Sequence, residues 1–175
     1  MLGCLRMITC THSHSLPFED LVTMNHDLNE SKVSVSPQRF GRTMRPLLDH
    51  IWTLHEHVLL NKPIAIYGKD VSLVSSLVVC MTHMIAPMQY YGDWRPLLTL
   101  QDKDTMLLGK SNNCIIGFCN PLILERLCSG FLVVRVDDNS VSSSAGCRDD
   151  ALLCKLKMIE DDDVLGVVLQ NYLHR

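Results

Sequence analysis

A chain of 175 residues with 47% apolar content has the size of a single domain and can bury a core. Sixteen basic and 19 acidic residues leave a net charge of −3, which argues against nucleic acid as a partner, because phosphate binding needs a positive field. No apolar run reaches the roughly 18 residues of a membrane span. Arg6 interrupts an N-terminus too short for a secretory signal, so the expected location is the cytoplasm.

Eight cysteines stand at positions 4, 10, 80, 114, 119, 128, 147 and 154, and no two form a Cys-x-x-Cys pair. In a reducing compartment this spacing predicts free thiols that behave as small hydrophobes.

Taken in order, residues 1–45 are rich in Ser, Thr, His and Asn, without sustained periodicity. They read as irregular, with a turn of helix over Phe18–Met24. Pro46 suits the start of a helix whose apolar face is Leu47, Leu48, Ile51, Leu54, Val58 and Leu59. Lys62-Pro63 stops it, and Pro63–Tyr67 reads as a strand. Asp70 is the expected N-cap of an apolar helix over Val71–Ile85. Leu97–Leu100 is expected to be the next strand, then a connection over 102–113 with a turn near Thr105–Leu108.

Cys114–Phe118 is a third strand, and Asn120-Pro121 caps a helix over Leu122–Cys128 that Gly130 ends. Phe131–Val136 is a closing strand, apolar on both faces. Continuous apolar strands alternating with helices predict an α/β fold, a mostly parallel sheet with helices on both faces. Residues 139–159 read as a linker. Glu160–Asp163 supplies carboxylates to the first turn of a final helix, Val164–Leu173. Its apolar residues Val164, Leu165, Val168, Leu169 and Tyr172 are expected to need further helices for their burial.

Familiar chemical motifs do not fit. Gly68 stands alone where a dinucleotide fingerprint needs three glycines. Gly68-Lys69 is followed by Asp70, whose carboxylate would repel a phosphate. His50, His55 and His57 share a helix, but 55 and 57 do not face each other. No metal or cofactor site is expected. Cys114 and Cys119 bracket a strand, where a structural thiol is the default. Asp93, Arg95 and Asp102 could form an ion-pair network at the entrance to a buried strand.

The run Ile85-Ala-Pro-Met-Gln-Tyr-Tyr-Gly-Asp-Trp-Arg-Pro-Leu-Leu-Thr-Leu-Gln-Asp102 resembles the central module of DENN domains, in particular the subfamily of DENN domain-containing protein six. Pro46–Tyr67, Ile115-Ile-Gly-Phe-Cys-Asn-Pro121 and Phe131–Asp138 agree with it in order. The resemblance covers about residues 46–138, and Asp161–Leu173 resembles the start of the helical module that follows. It divides the chain into an irregular segment (1–45), a central DENN-like module (46–138), a linker (139–159) and the start of a truncated helical module (160–175). No whole N-terminal lobe is recognisable, so the chain reads as part of a longer design.

The resemblance implies part of a guanine-nucleotide exchange factor for a Rab GTPase in vesicle or endosomal trafficking, without covalent chemistry or cofactor. Membrane association would then be peripheral, through partners. Tyr91, Asp93, Trp94, Arg95 and Asn120 match the family and are the candidate partner-binding positions. Two alternatives stay open: a module that binds a Rab or another trafficking protein without exchange, and an α/β enzyme with a cysteine nucleophile.

Overall fold

A computed structural model describes residues 35–101, 113–127, 130–142 and 149–173, all within the compact unit Ser34–Arg175. The expected turns at 18–24 and 105–108 lie outside the described residues. The described helices are α1 (Pro37–Met44), a 3-10 helix (Arg45–His50), α2 (Ile51–Leu59), α3 (Val71–His83), α4 (Pro121–Leu127), α5 (Asp150–Lys157) and α6 (Asp162–Leu173). The strands are β1 (Ile64–Tyr67), β2 (Asp93–Arg95), β3 (Cys114–Phe118), β4 (Leu132–Arg135) and β5 (Ser140–Val141).

The five described strands form one sheet in the order β2-β3-β1-β4-β5. The β2/β3, β3/β1 and β1/β4 pairings are parallel and β5 is antiparallel, which is the expected α/β fold. Alternation along each strand divides the core in two. Ile64, Ile66, Ile115, Leu132 and Val134 face α1, α2, α3, α5 and α6. Ala65, Cys114, Ile116, Phe118 and Val133 face the other way, with Leu98, Phe131 and Ile123 of α4. The helices after β1 and β3 therefore leave the sheet on opposite faces.

The helix starts follow their caps. Asp70 accepts from Ser72 N–H (2.8 Å) and Leu73 N–H (3.3 Å) at α3, and Asn120 accepts from Leu122 N–H (2.9 Å) at α4, satisfying donors that no helical carbonyl reaches. At the other end of α2 the stop comes before Pro63. Asn61 takes the left-handed conformation (φ 52°), and Lys62 N–H closes back on His57 O at 2.8 Å.

Four expectations change. Within 1–45, Pro37–Met44 is a helix: Ser36 caps it, Pro37 opens it, and Phe40, Gly41, Thr43 and Met44 are buried. Within the expected linker, Ser140–Val141 adds a strand and Asp149 caps α5 through Leu152 N–H (3.0 Å). Leu97–Leu100 is not a strand. The ladder runs earlier, Asp93–Arg95 against Cys114–Ile116, and stops at Pro96, which has no N–H to donate.

The fourth change concerns α6. Its Leu165, Leu169 and Leu173 are buried within the chain's own core, while Val164 and Tyr172 stay partly exposed. The neighbour that covers it is α1, and two glycines make the contact possible. A Cβ on Gly166 would collide with the Pro37 carbonyl, and one on Gly41 would meet Gly166 N at 2.7 Å and collide with Asp162 O. Arg45 ties the junction. Its guanidinium donates to Ile159 O (2.8 Å), Glu160 O (2.9 Å) and Asp162 Oδ1 (2.8 Å), and Lys157 pairs with Asp49 at 2.7 Å. From the sheet outward the packing runs α3, α1, α6.

Candidate functional site

The matched run enters the sheet at its amino edge. Tyr90 is buried and Tyr91, next to it, is 87% exposed. Gly92 can lie where it does because it has no side chain: the Tyr90 hydroxyl and Asn61 Oδ1 press on the position a Cβ would take. Burial pushes the Tyr90 hydroxyl up to about 12, with smaller contributions from Cys114 and Asp93.

Beyond Gly92 the run becomes the short strand β2. Trp94 is opposite Ile115 and packs on the α3 side of the core. Asp93 and Arg95 project to the other face, where Arg95 Nε lies 3.3 Å from Asp93 Oδ1. Both side chains are more than two-fifths exposed, so the pair is solvated rather than sealed at a buried entrance; Asp102 lies outside the described residues.

Asn120 belongs elsewhere. Asp93 is level with Cys114, and Asn120 follows six positions later, roughly 20 Å along the strand direction at about 3.3 Å per residue. The five candidate positions therefore form no single cluster. Tyr91 projects as a contact residue would, Trp94 packs, Asp93 and Arg95 pair, and Asn120 caps α4 at the opposite edge.

That opposite, carboxyl edge carries a feature the sequence reading missed. Val71, Leu97, Leu98, Thr99, Leu100, Cys119, Asn120 and Pro121 line an open cleft of about 460 Å³. Val71, Leu97 and Leu100 on its wall, and Leu122 just beyond it, are 39–50% exposed. Reading Leu97–Leu100 as a buried strand hid this. Pro96 was the available signal that the strand ends; past it Leu98 still packs inward, while Leu97 and Leu100 turn outward.

Three of the four described thiols, Cys80, Cys114 and Cys119, do not favour the cysteine-nucleophile alternative; Cys154 is exposed on α5. Burial pushes Cys80 up to about 12, against small lowering effects of Thr43 and Arg39. Cys114 is wholly buried. Cys119, at the cleft, is raised by burial and further by the carboxylates of Asp70 and Asp137, the reverse of the electropositive setting that makes a thiolate. Among the described residues no three His, Cys, Asp or Glu side chains converge as metal ligands, and no helix is long and apolar enough to cross a membrane.

The described residues thus build an α/β module with an exposed aromatic at one sheet edge and an apolar cleft at the other. No protein-family model matches the chain. Among curated proteins, Protein DENND6B of Mus musculus is 26% identical over 137 residues, 76% of this chain and 22% of that protein. Protein DENND6B of Homo sapiens is 28% identical over 105 residues, 58% of this chain and 18% of that protein. The Protein DENND6 homolog of Dictyostelium discoideum is 35% identical over 54 residues, 31% of this chain and 8% of that protein. These relatives all carry the DENND6 name, and the matched stretch of the chain is similar to theirs. The chain spans about a fifth of the length of the first two.

Proposed function

We propose that this chain is part of a guanine-nucleotide exchange factor for a Rab GTPase, acting in vesicle or endosomal trafficking and reaching membranes through its partners. The observation that carries the reading is the similarity to DENND6 proteins, carried on a mostly parallel α/β sheet. Such a regulator breaks no bond in its partner. It binds the nucleotide-free GTPase more tightly than the GDP-bound form, and that difference in affinity drives GDP release. In this reading Tyr91, with Asp93 and Arg95 beside it, meets the partner at the amino edge and Trp94 supports it from the core side, while Asn120 caps α4 at the opposite edge.

One observation favours a narrower role for the chain by itself. It spans about a fifth of its longer relatives, and a partner gripped from one side supplies only part of the energy that separates the two nucleotide states. Binding without appreciable exchange is the expected behaviour of these 175 residues. The test is a Rab panel, each member presented nucleotide-free and GDP-loaded, with affinity and fluorescent-GDP release measured together. At least one Rab should bind more tightly when nucleotide-free, with weaker binding by Tyr91→Ala. Equal affinity for both states across the panel would refute the exchange-factor reading, and rapid GDP release by this chain alone would refute the narrower one.

A further inference from the structure

The carboxyl-edge cleft lies at a switch point of the sheet. β1 and β3 are neighbours, yet α3, which follows β1, packs on one face while α4, which follows β3, packs on the other. Diverging connections leave a crevice outside the strand ends, the usual ligand position in open α/β sheets. Here that crevice is walled by Val71 after β1 and by Cys119 to Pro121 after β3. Its lining is mostly apolar and open, and one of its polar groups, the Asn120 carboxamide oxygen, is already engaged by Leu122 N–H. That suits a side chain of a larger molecule better than a small polar ligand, which needs several convergent polar groups.

Charge sharpens the choice. Asp70 and Asp137 flank the cleft closely enough to act on the Cys119 thiol, and Asp138 follows in an exposed turn. Lys69 is the cation nearest in sequence, and its backbone N–H donates to Asp137 Oδ1 at 3.2 Å. Among the described residues this rim carries the carboxylates of Asp70, Asp137 and Asp138 against the one cation of Lys69, and the floor is apolar.

We propose that this cleft receives a segment of a protein partner in which an apolar side chain stands beside a lysine or arginine. The apolar side chain covers Leu97, Leu100 and Val71, which are open to water in the chain alone. The cation meets the field of Asp70 and Asp137, which sets orientation and selects against acidic segments. This surface is distinct from the Tyr91 edge, and the inference does not depend on the partner being a Rab.

The whole 175-residue chain, labelled with ¹⁵N, is titrated with millimolar acetyl-Ser-Lys-Leu-Lys-Ser-amide and with its counterpart carrying glutamates for lysines. The basic peptide should shift the amides of Val71, Leu97 to Leu100, Cys119 and Asn120, and the acidic one should not. Leu100→Ser and Asp137→Asn should each weaken binding about threefold or more; the first site is exposed and the second keeps its acceptor oxygen, so both variants should stay folded. No shifts at these amides, equal response to the two peptides, or variants that bind like the parent would each overturn the proposal.

Discussion

Replacing Gly166 by alanine inverts an ordinary rule of helix chemistry. In an exposed helix interior this change stabilises by about 1 kcal/mol, because alanine loses less backbone freedom than glycine. In α6 the new methyl would sit 3.0 Å from Pro37 Cα and closer still to the Pro37 carbonyl, whereas carbon atoms pack comfortably at about 3.5–4.0 Å. The obstruction is backbone and cannot rotate away, so α1 and α6 must separate. Separation loosens Phe40 and Met44 against Leu165 and Leu169, all wholly buried. Overpacking of this kind costs about 1–3 kcal/mol, occasionally more. A rigid backbone obstruction belongs at the upper end, about 3 kcal/mol; less about 1 kcal/mol of propensity gain, the net loss is about 2 kcal/mol, or about 4–8 °C in Tm for a chain of this size. Urea denaturation followed by circular dichroism measures it. Gly41→Ala acts at the same crossing, so the double variant should lose less than the sum of the two. A Gly166→Ala chain as stable as the parent, or more so, would refute the close packing of α1 on α6.

Four further outcomes are expected. Arg45→Ala should cost about 2 kcal/mol in the same assay, because it leaves the carbonyls of Ile159 and Glu160 and the Asp162 carboxylate without their donor; Arg95→Ala, at a solvated pair, should cost less. Asn120→Ala should cost about 1 kcal/mol through the lost cap on α4, and an unchanged denaturation midpoint would remove that cap from the account. Gly92→Ala should destabilise by about 1–3 kcal/mol, since Tyr90 and Asn61 already occupy the space its Cβ would take. Stability should also fall above pH 9. Unfolded cysteine and tyrosine lose their protons near 9 and 10, while Cys80 and Tyr90 keep theirs until about 12 in the folded chain. The unfolded state thus binds fewer protons through this window and is favoured as pH rises. Cys80→Ala should flatten the decline, and a slope unchanged by it would contradict the burial of the thiol.

Strands that carry their own signal were legible. β1, β3 and β4 are continuous apolar runs closed by turn residues, and a run apolar on both faces needs a covered, parallel sheet. The caps at Asp70 and Asn120 were legible too, because an N-cap is a local hydrogen bond between neighbours in sequence. The α1–α6 layer was not. Half of the four residues that α1 buries are glycine and threonine, which a hydrophobic pattern does not register, and the partner that covers it lies more than 100 residues away. Gly166 reads locally as a weak point in a helix; only against Pro37 does it become the reason the helix can dock.

The site divides along the same line. The resemblance drew five residues together because two stretches match one family, but parallel pairing sends Tyr91 to one end of the sheet and Asn120 to the other. A match of this kind mixes residues that hold the surface with residues that present it, and burial separates them: Trp94 packs and Asn120 caps, while Tyr91 projects. The cleft was lost for the opposite reason. Leu97 and Leu100 were assigned to the core on composition, although the regular ladder ends at Pro96; beyond it only Leu98 bonds back to β3, through Gly117 O, and packs inward. Residues freed from the sheet at the carboxyl ends of its strands, between helices that leave on opposite faces, fall where an α/β sheet has space for another molecule.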